Sequence, residues 1–358
     1  MKISRSVRLL PLLLCMLFLL CACGGGSSDA NGGKSKQKSE RRKPRRRPLL
    51  APSSSGNPYE VMVVAEDSLW EGYAGAALRT VLNKPVPMLP QEEESFHTSR
   101  VEPKRFDRIT HLFRNVIILQ VNPHYSEPRI QVERDTYASP QLIMTIIGPT
   151  HAQLSAFITE QTKYLIKYFS TEEINREATR LETSHNIKFA KQVEEMFDCE
   201  LHIPVDIKKM KVGDNFIWAS DDGLSSIQNV CIYSYPYVSE KVFTRRAYIA
   251  LRDSFMKRNI PGEHPGSHMA TNSEFVTVED MSIQGHYVQE ARGFWEMTKE
   301  AMGGPFVAHS QVDTVNNRVI VVEGFVYAPD KKKRTMIRRL EAALYTLRLP
   351  EAEEDSEE

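Results

Sequence analysis

The run Arg318–Tyr327 (RVIVVEGFVY) constrains this chain more than any other stretch. In an extended segment, Val319, Val321, Phe325 and Tyr327 fall on one face and Ile320, Val322 and Val326 on the other. A strand apolar on both faces has to be covered on both, so this run is expected in the middle of the largest sheet. It closes a longer stretch, Gly285–Ala328, that reads as consecutive extended segments. Met302-Gly303-Gly304-Pro305 makes one break, and Val315-Asn316-Asn317-Arg318 supplies a hairpin-type turn.

The beginning of the chain says where such a body would live. Residues 1–23 read as an export signal: Lys2, Arg5 and Arg8 precede the apolar run Leu9–Leu20, which is short for a membrane-spanning helix. Leu20-Cys21-Ala22-Cys23 before three glycines has the pattern of a bacterial lipobox. Cleavage before Cys23 would free its thiol for diacylglycerol and its amine for a further acyl chain. Cys21 fits less well, because bulky Leu20 would precede the cut. Stable anchoring needs more than one chain, at about 0.8 kcal/mol per buried methylene, and a lipidated amino terminus meets that need. The expectation is an envelope lipoprotein held in the membrane through Cys23. Gly24–Ser28 lacks an aspartate for inner-membrane retention, and the tether lacks an acidic cluster for surface display. Both point to the outer membrane, with the body facing the periplasm.

Residues 24–57 read as a disordered basic tether, rich in Gly, Ser and Lys and then in Arg41–Pro48. On an exported protein such a segment meets anionic head groups or acidic envelope polymers rather than nucleic acid. Residues 351–358 form an acidic disordered tail. The formal net charge of zero is therefore partly a cancellation between the two tails.

The body divides into an N-terminal half, residues 58–198, and a C-terminal half, residues 199–350. Tyr59–Ala65, Phe113–Val121, Arg129–Asp135 and Gln141–Ile147 read as strands, with a helix capped by Asp67 or Ser68 after the first and an irregular charged stretch at Gln91–Phe106. Thr150 with Gln153, and Ser170 with Glu173, form capping boxes. The second box is expected to open a long helix reaching Phe197, the joint between the halves. His185 lies on its apolar stripe as a hydrogen-bonded core or interface residue. The C-terminal half continues with extended pieces at Leu201–Val205, Phe216–Ala219 and Val230–Tyr235, and Asp221-Asp222-Gly223 is a plain turn. A helix capped by Ser239, a loop at Asn259–Thr271 and a strand at Phe275–Val278 follow. A last helix capped by Asp330 carries Arg338 and Arg339 outward. The expected class is α+β: mainly antiparallel sheets with helices packed on one face, in two α+β halves joined by a long helix.

Chemical signatures are sparse. There is no Gly-x-Ser-x-Gly elbow, Ser-x-x-Lys, His-Glu-x-x-His or phosphate-cradling Gly loop, so no catalytic residue, metal or cofactor is assigned. In the loop, Pro261-Gly262 and Pro265-Gly266 turns hold Glu263, His264 and His268 close together. Two imidazoles and a carboxylate can converge on zinc, but Pro265-Gly266 removes the helical spacing that would align them. Ligand or partner binding by a rigid loop fits better than a metal site, and the remaining reading is a structural loop with solvated histidines. Arg292 and Trp295 combine cation and aromatic, as sugar- and protein-binding surfaces do, and strand spacing equally suits Trp295 to a core. Cys199 and Cys231, the cysteines left in the mature body, either form a disulfide or remain small core thiols.

The lipobox, NPYEVMVV, FRNVI, NIPGEHPGSHMAT, RGFWEM, MGGPF and EGFVYAPDKKKR together resemble a domain-of-unknown-function lipoprotein family of Bacteroidota, from Asn57 to about Leu349. The resemblance implies an envelope location and one family-wide unit, and it brings no activity, substrate or catalytic residue. The expected function is a non-enzymatic binding or assembly module for a partner protein or envelope polymer. The alternative is a periplasmic hydrolase or metal-dependent enzyme built on Glu263, His264 and His268, or on His185.

Overall fold

In chain order the elements are β1 (Glu60–Val64), α1 (Asp67–Glu71), α2 (Tyr73–Leu82), β2 (His97–Val101), β3 (Asn115–Val121), β4 (Arg129–Arg134), β5 (Leu142–Gly148), α3 (His151–Glu160), α4 (Thr162–Thr183) and α5 (Ile187–Phe197). There follow β6 (Lys209–Gly213), β7 (Phe216–Ser220), β8 (Ile227–Pro236), α6 (Arg245–Asn259), β9 (Met269–Ile283), β10 (His286–Met297), β11 (Gly303–Asp313), β12 (Arg318–Tyr327) and α7 (Arg334–Leu344). This computed structural model describes residues 51–351. The export signal, Cys23, the tether through residue 50 and the acidic tail from 352 lie outside the described residues. Among those described, no helix is long and apolar enough to cross a membrane.

Two sheets organise the body, and the α+β class holds. The smaller has the order β2-β1-β3-β5-β4 and the larger β6-β7-β8-β12-β11-β10-β9. Arg318–Tyr327 is the fourth strand of the larger sheet's seven, the central place its two apolar faces require. Every neighbouring pair in that sheet is antiparallel. The smaller sheet is mostly parallel: β1 pairs parallel with β2 and β3, β3 pairs parallel with β5, and only β4 runs against its neighbour. Its inner strands are nearly all buried, as parallel strands are.

Helices lie on one face of the smaller sheet, where Leu78 of α2, Leu154 of α3 and Phe169 of α4 join one cluster with Val63, Ile117 and Met144. The larger sheet is covered on both faces. Ile320 and Val322 pack with Phe189 and Val193 of α5 and Leu340 of α7, whereas Val319 and Val321 pack with Tyr248 and Phe255 of α6.

The long joining helix is broken at Ser184–Asn186. Asn186 caps α5 by accepting from the Phe189 N–H at 3.1 Å, and its side-chain amide donates to the Ile207 carbonyl at 2.6 Å. Beyond this break, α5 packs on the larger sheet. Ser170 and Glu173 lie inside α4 instead of capping it. Glu173 is buried against Asn115, Arg176 and Arg114 at 2.7–3.0 Å. Thr150 does cap α3, accepting from the Gln153 N–H at 3.3 Å. Thr244 replaces Ser239 as the cap of α6. The tether is ordered by residue 54, where Ser54 and Ser55 donate backbone hydrogen bonds to Ser139 and Leu112 at 3.2 and 2.7 Å.

Three further departures come from tertiary placement rather than from local sequence. The N-terminus of α7 is capped by Glu93, not Asp330: the buried Glu93 carboxylate accepts from the Lys333 and Arg334 N–H groups. A carboxylate there also complements the helix dipole. Arg338 is buried, not outward, with its guanidinium 5.0 Å from the centre of the Tyr59 ring. The strands β2 (HTSRV) and β6 (KMKVG) lack an apolar rhythm because both are sheet edges, where polar and charged residues are tolerated.

Candidate functional site

A large cleft follows from where α6 stops. This helix lies across one face of the larger sheet, Tyr248 stacked near Phe306 and Phe255 on Tyr233. Proline cannot continue a helix, and Ile260-Pro261 ends this one just after Asn259. The strands beneath run on. The row Ser220–Asn229–Phe325 and the next pair, Ile227–Tyr327, are left without a helix above them. They floor a cleft of about 800 Å³, within the range of small-molecule sites, roughly 300–1,000 Å³.

One wall is Trp218 and the edge strand β6, with Lys209 and Lys211. The other is Trp295 and Met297 of β10, Met302, and the returning chain Ile260–Met269. That returning chain is a small hairpin: Met269 N–H donates to the Ile260 carbonyl at 3.1 Å and Gly262 N–H to the Ser267 carbonyl at 3.0 Å. The turn between β10 and β11 holds it. Thr298 Oγ1 accepts from the His268 N–H at 3.2 Å, Lys299 Nζ donates to the Pro265 carbonyl at 2.7 Å, and Glu300 Oε1 accepts from the His264 N–H at 3.1 Å. Hydrogen bonding from His264 holds the Glu300 carboxyl below its usual range. Gly262 permits this close approach, since a Cβ there would lie 2.3 Å from Glu300 Oε1 and 2.7 Å from Met297 Cε.

The residues singled out from sequence are not brought together. Glu263 lines the cleft. His264 is exposed, with Nδ1 3.5 Å from Glu300 Oε1, and His268 turns Nδ1 to the Gly266 carbonyl at 3.2 Å. Among the described residues no group of three or more His, Cys, Asp or Glu is placed to hold a metal. Trp295 is buried in the core and reaches the cleft as well, its indole N–H donating to the Val326 carbonyl at 3.2 Å. Gly304 makes room for it, as a Cβ there would be 3.2 Å from that nitrogen.

Arg292 lies on the opposite face of the sheet, away from the cleft. It donates to Glu290 at 2.7 and 2.8 Å and pairs with Glu341 of α7. Burial opposes the Arg292 charge, and the two carboxylates more than restore it, leaving the group above its ordinary range. Burial likewise opposes the Glu290 charge, but Arg292 and the fully buried His309, 3.5 Å away, hold the carboxyl below its usual range.

His185 occupies the break between α4 and α5. Its Nδ1 lies 2.8 Å from the Leu181 carbonyl, and its ring stacks on His202 at 3.9 Å between centres. Cys199 and Cys231 are both free and buried, in clusters on opposite faces of the larger sheet, so the disulfide considered from sequence is not formed. Burial pushes the Cys199 thiol up to about 12 and Cys231 well above its ordinary value. Sequence reasoning missed Trp218, Lys209, Lys211 and Glu300. Only the tryptophan carried a signal, as a large aromatic in a short strand.

Residues 186–346 match the model of a domain of unknown function, DUF4837, and residues 54–182 match that of a second, DUF8532. No curated protein matches the chain. A crystal structure from Bacteroides thetaiotaomicron VPI-5482, at 1.50 Å resolution, is similar at 11% identity with a TM-score of 0.19. That match covers 43% of this chain and 45% of that chain, less than half its length, and carries no structural argument. The single family-wide unit expected from sequence is thus matched as two domains. Both are of unknown function, and they meet at the break between α4 and α5 that Asn186 caps.

Proposed function

We propose that the protein is an envelope lipoprotein, anchored through Cys23, whose folded body is a non-enzymatic binding module. The cleft beyond α6 is its binding surface. The supporting observation is the combination of volume and lining: about 800 Å³ lined mainly by tryptophan, tyrosine, phenylalanine, methionine and isoleucine, with Lys209, Lys211, Asp222, Glu263 and Glu300 also around it. Such a lining excludes water and holds a ligand by apolar contact. Two of the residues an enzyme reading would need together face different partners, His264 towards Glu300 and His268 towards the Gly266 carbonyl. A tether of the length of residues 24–57 would let the body reach partners near the membrane it is anchored to.

The test is chemical crosslinking in intact envelopes followed by capture of the full chain, comparing it with Cys23→Ala and Ile227→Asp. Ile227 is half-buried in the cleft floor, so a carboxylate there places charge in the apolar site. Palmitate incorporation is expected in the full chain and absent from Cys23→Ala. A crosslinked species captured by the full chain is expected to disappear from Ile227→Asp at equal protein level. Capture unchanged by Ile227→Asp would reject the cleft as the binding surface.

A further inference from the structure

The cleft floor restricts the chemistry of what can lie on it. Its indole and amide groups are already engaged with one another. Trp218 donates its indole N–H to Asn229 Oδ1 at 2.9 Å, and the Asn229 amide donates to the Ile227 and Phe325 carbonyls at 3.3 and 3.4 Å. Trp295 donates to the Val326 carbonyl. A sugar ring or a peptide backbone laid on this floor would give up its hydrogen bonds to water and find little beyond the Tyr327 hydroxyl to replace them, a net loss. A hydrocarbon chain loses nothing by the same move. Met297 and Met302 beside the floor are flexible, polarizable side chains that fit the outline of an unbranched chain.

The rim is asymmetric in charge. Lys209 and Lys211 stand on the β6 side, and Glu263 and Glu300 on the opposite side. Lys209 pairs with Asp222, but both side chains are more than half exposed, so the pair is weak and open to exchange. Lys211 donates to the Asn259 carbonyl at 3.1 Å from an equally open position. An anion entering the cleft is attracted to the β6 rim and repelled by the other.

We infer that the cleft binds the hydrocarbon chain of an anionic amphiphile, with the chain on the Ile227–Tyr327 floor beside the Trp218 wall and the head group at Lys209 and Lys211. This rests on the reading of the same cleft as a binding surface, and it names the ligand class. The head group displaces Asp222 from Lys209, and the chain points toward Trp295 and Met302.

The experiment is photolabelling of the full chain in isolated envelopes with a diazirine-bearing laurate analogue, labelled peptides being mapped by mass spectrometry. Label is expected on peptides carrying Trp218, Ile227 and Met302, and excess laurate should compete it away. Dodecyltrimethylammonium, with the same chain and opposite charge, should compete roughly tenfold less well. Ile227→Asp should lower cleft labelling by about tenfold or more, because a carboxylate in the half-buried floor opposes the chain. The double variant Lys209→Glu/Lys211→Glu, altered only at the exposed rim, should lower laurate labelling and erase the preference for the anionic competitor. Label absent from these peptides, label indifferent to Ile227→Asp, or equal competition by the two amphiphiles would each overturn the assignment. If the crosslinked species of the preceding test still depends on Ile227 while laurate fails to label, the ligand class falls and the binding surface stands. If neither depends on Ile227, both fall.

Discussion

Arg252 of α6 and Glu323 of β12 form an ion pair with no solvent exposure on either side chain. Arg252 Nη2 and Nε donate to the two carboxylate oxygens at 2.7 and 2.9 Å, and Nη1 donates to Thr271 Oγ1 at 2.8 Å. The guanidinium lies 4.2 Å from the centre of the Phe306 ring. Burial opposes the Arg252 charge, and Glu323 more than restores it, so the group stays above its ordinary range. Removing one member of such a pair leaves an uncompensated buried charge and costs about 3–5 kcal/mol, whereas replacing both with packed apolar side chains is roughly neutral or stabilising. Arg252→Met and Glu323→Leu are each expected to lose about 3–5 kcal/mol. Glu323→Leu should fall at the lower end, because Thr271 and Phe306 still face the guanidinium. The double variant should return to within about 1 kcal/mol of the parent, giving a coupling of at least about 3 kcal/mol. In Arg252→Met the isolated Glu323 carboxyl is raised by burial, so its folded state binds a proton more tightly than the unfolded chain does. The deficit of that variant should therefore deepen as pH rises above the unfolded value of about 4.3. Urea unfolding of the four proteins at neutral pH, repeated near pH 5 for Arg252→Met, measures all of this. A double variant whose loss equals the sum of the singles, or a single variant losing under about 1 kcal/mol, would refute the account of a dry, mutually dependent pair.

Two further outcomes follow from the packing and the charges. A Cβ at Gly304 would sit 2.0 Å from the Val326 carbonyl oxygen, a backbone atom that cannot swing aside. Gly304→Ala should cost about 1–3 kcal/mol, with a change in tryptophan fluorescence as Trp295 is displaced; an unchanged melting temperature would count against this packing. On the acid side, Arg339 holds Asp206 below its usual range. In Glu290 and Asp313 burial works the other way and is overcome, by Arg292 and by Asn316 respectively. Depressed carboxylates contribute stability in full above their unfolded values, near 4, and lose it as pH falls toward the folded ones. The urea midpoint should be flat from these groups between about pH 6 and 8 and fall steeply below about pH 4, and a midpoint constant down to pH 3 would contradict them.

The sequence by itself determined the α+β class, the centrality of Arg318–Tyr327 and the Thr150 cap. Each depends on neighbours a few residues apart: the two-residue period of a strand, or the three-residue reach of a capping hydroxyl. The loop Asn259–Thr271 was also legible as a feature, since its Pro-Gly pairs mark turns. What it does was not, because His264, His268 and Gly262 take their positions from Thr298, Lys299 and Glu300, some thirty residues on. The same limit hid Glu93 at the start of α7, Arg252 against Glu323 and Arg292 against Glu341, where a charge that looks solvated in sequence is buried by a partner from another element. It also hid the cleft. A cavity is space that no residue occupies, and it arises here because α6 ends before the strands beneath it. Local propensity sets where each element begins and ends. Only tertiary packing decides which face the shorter one leaves open.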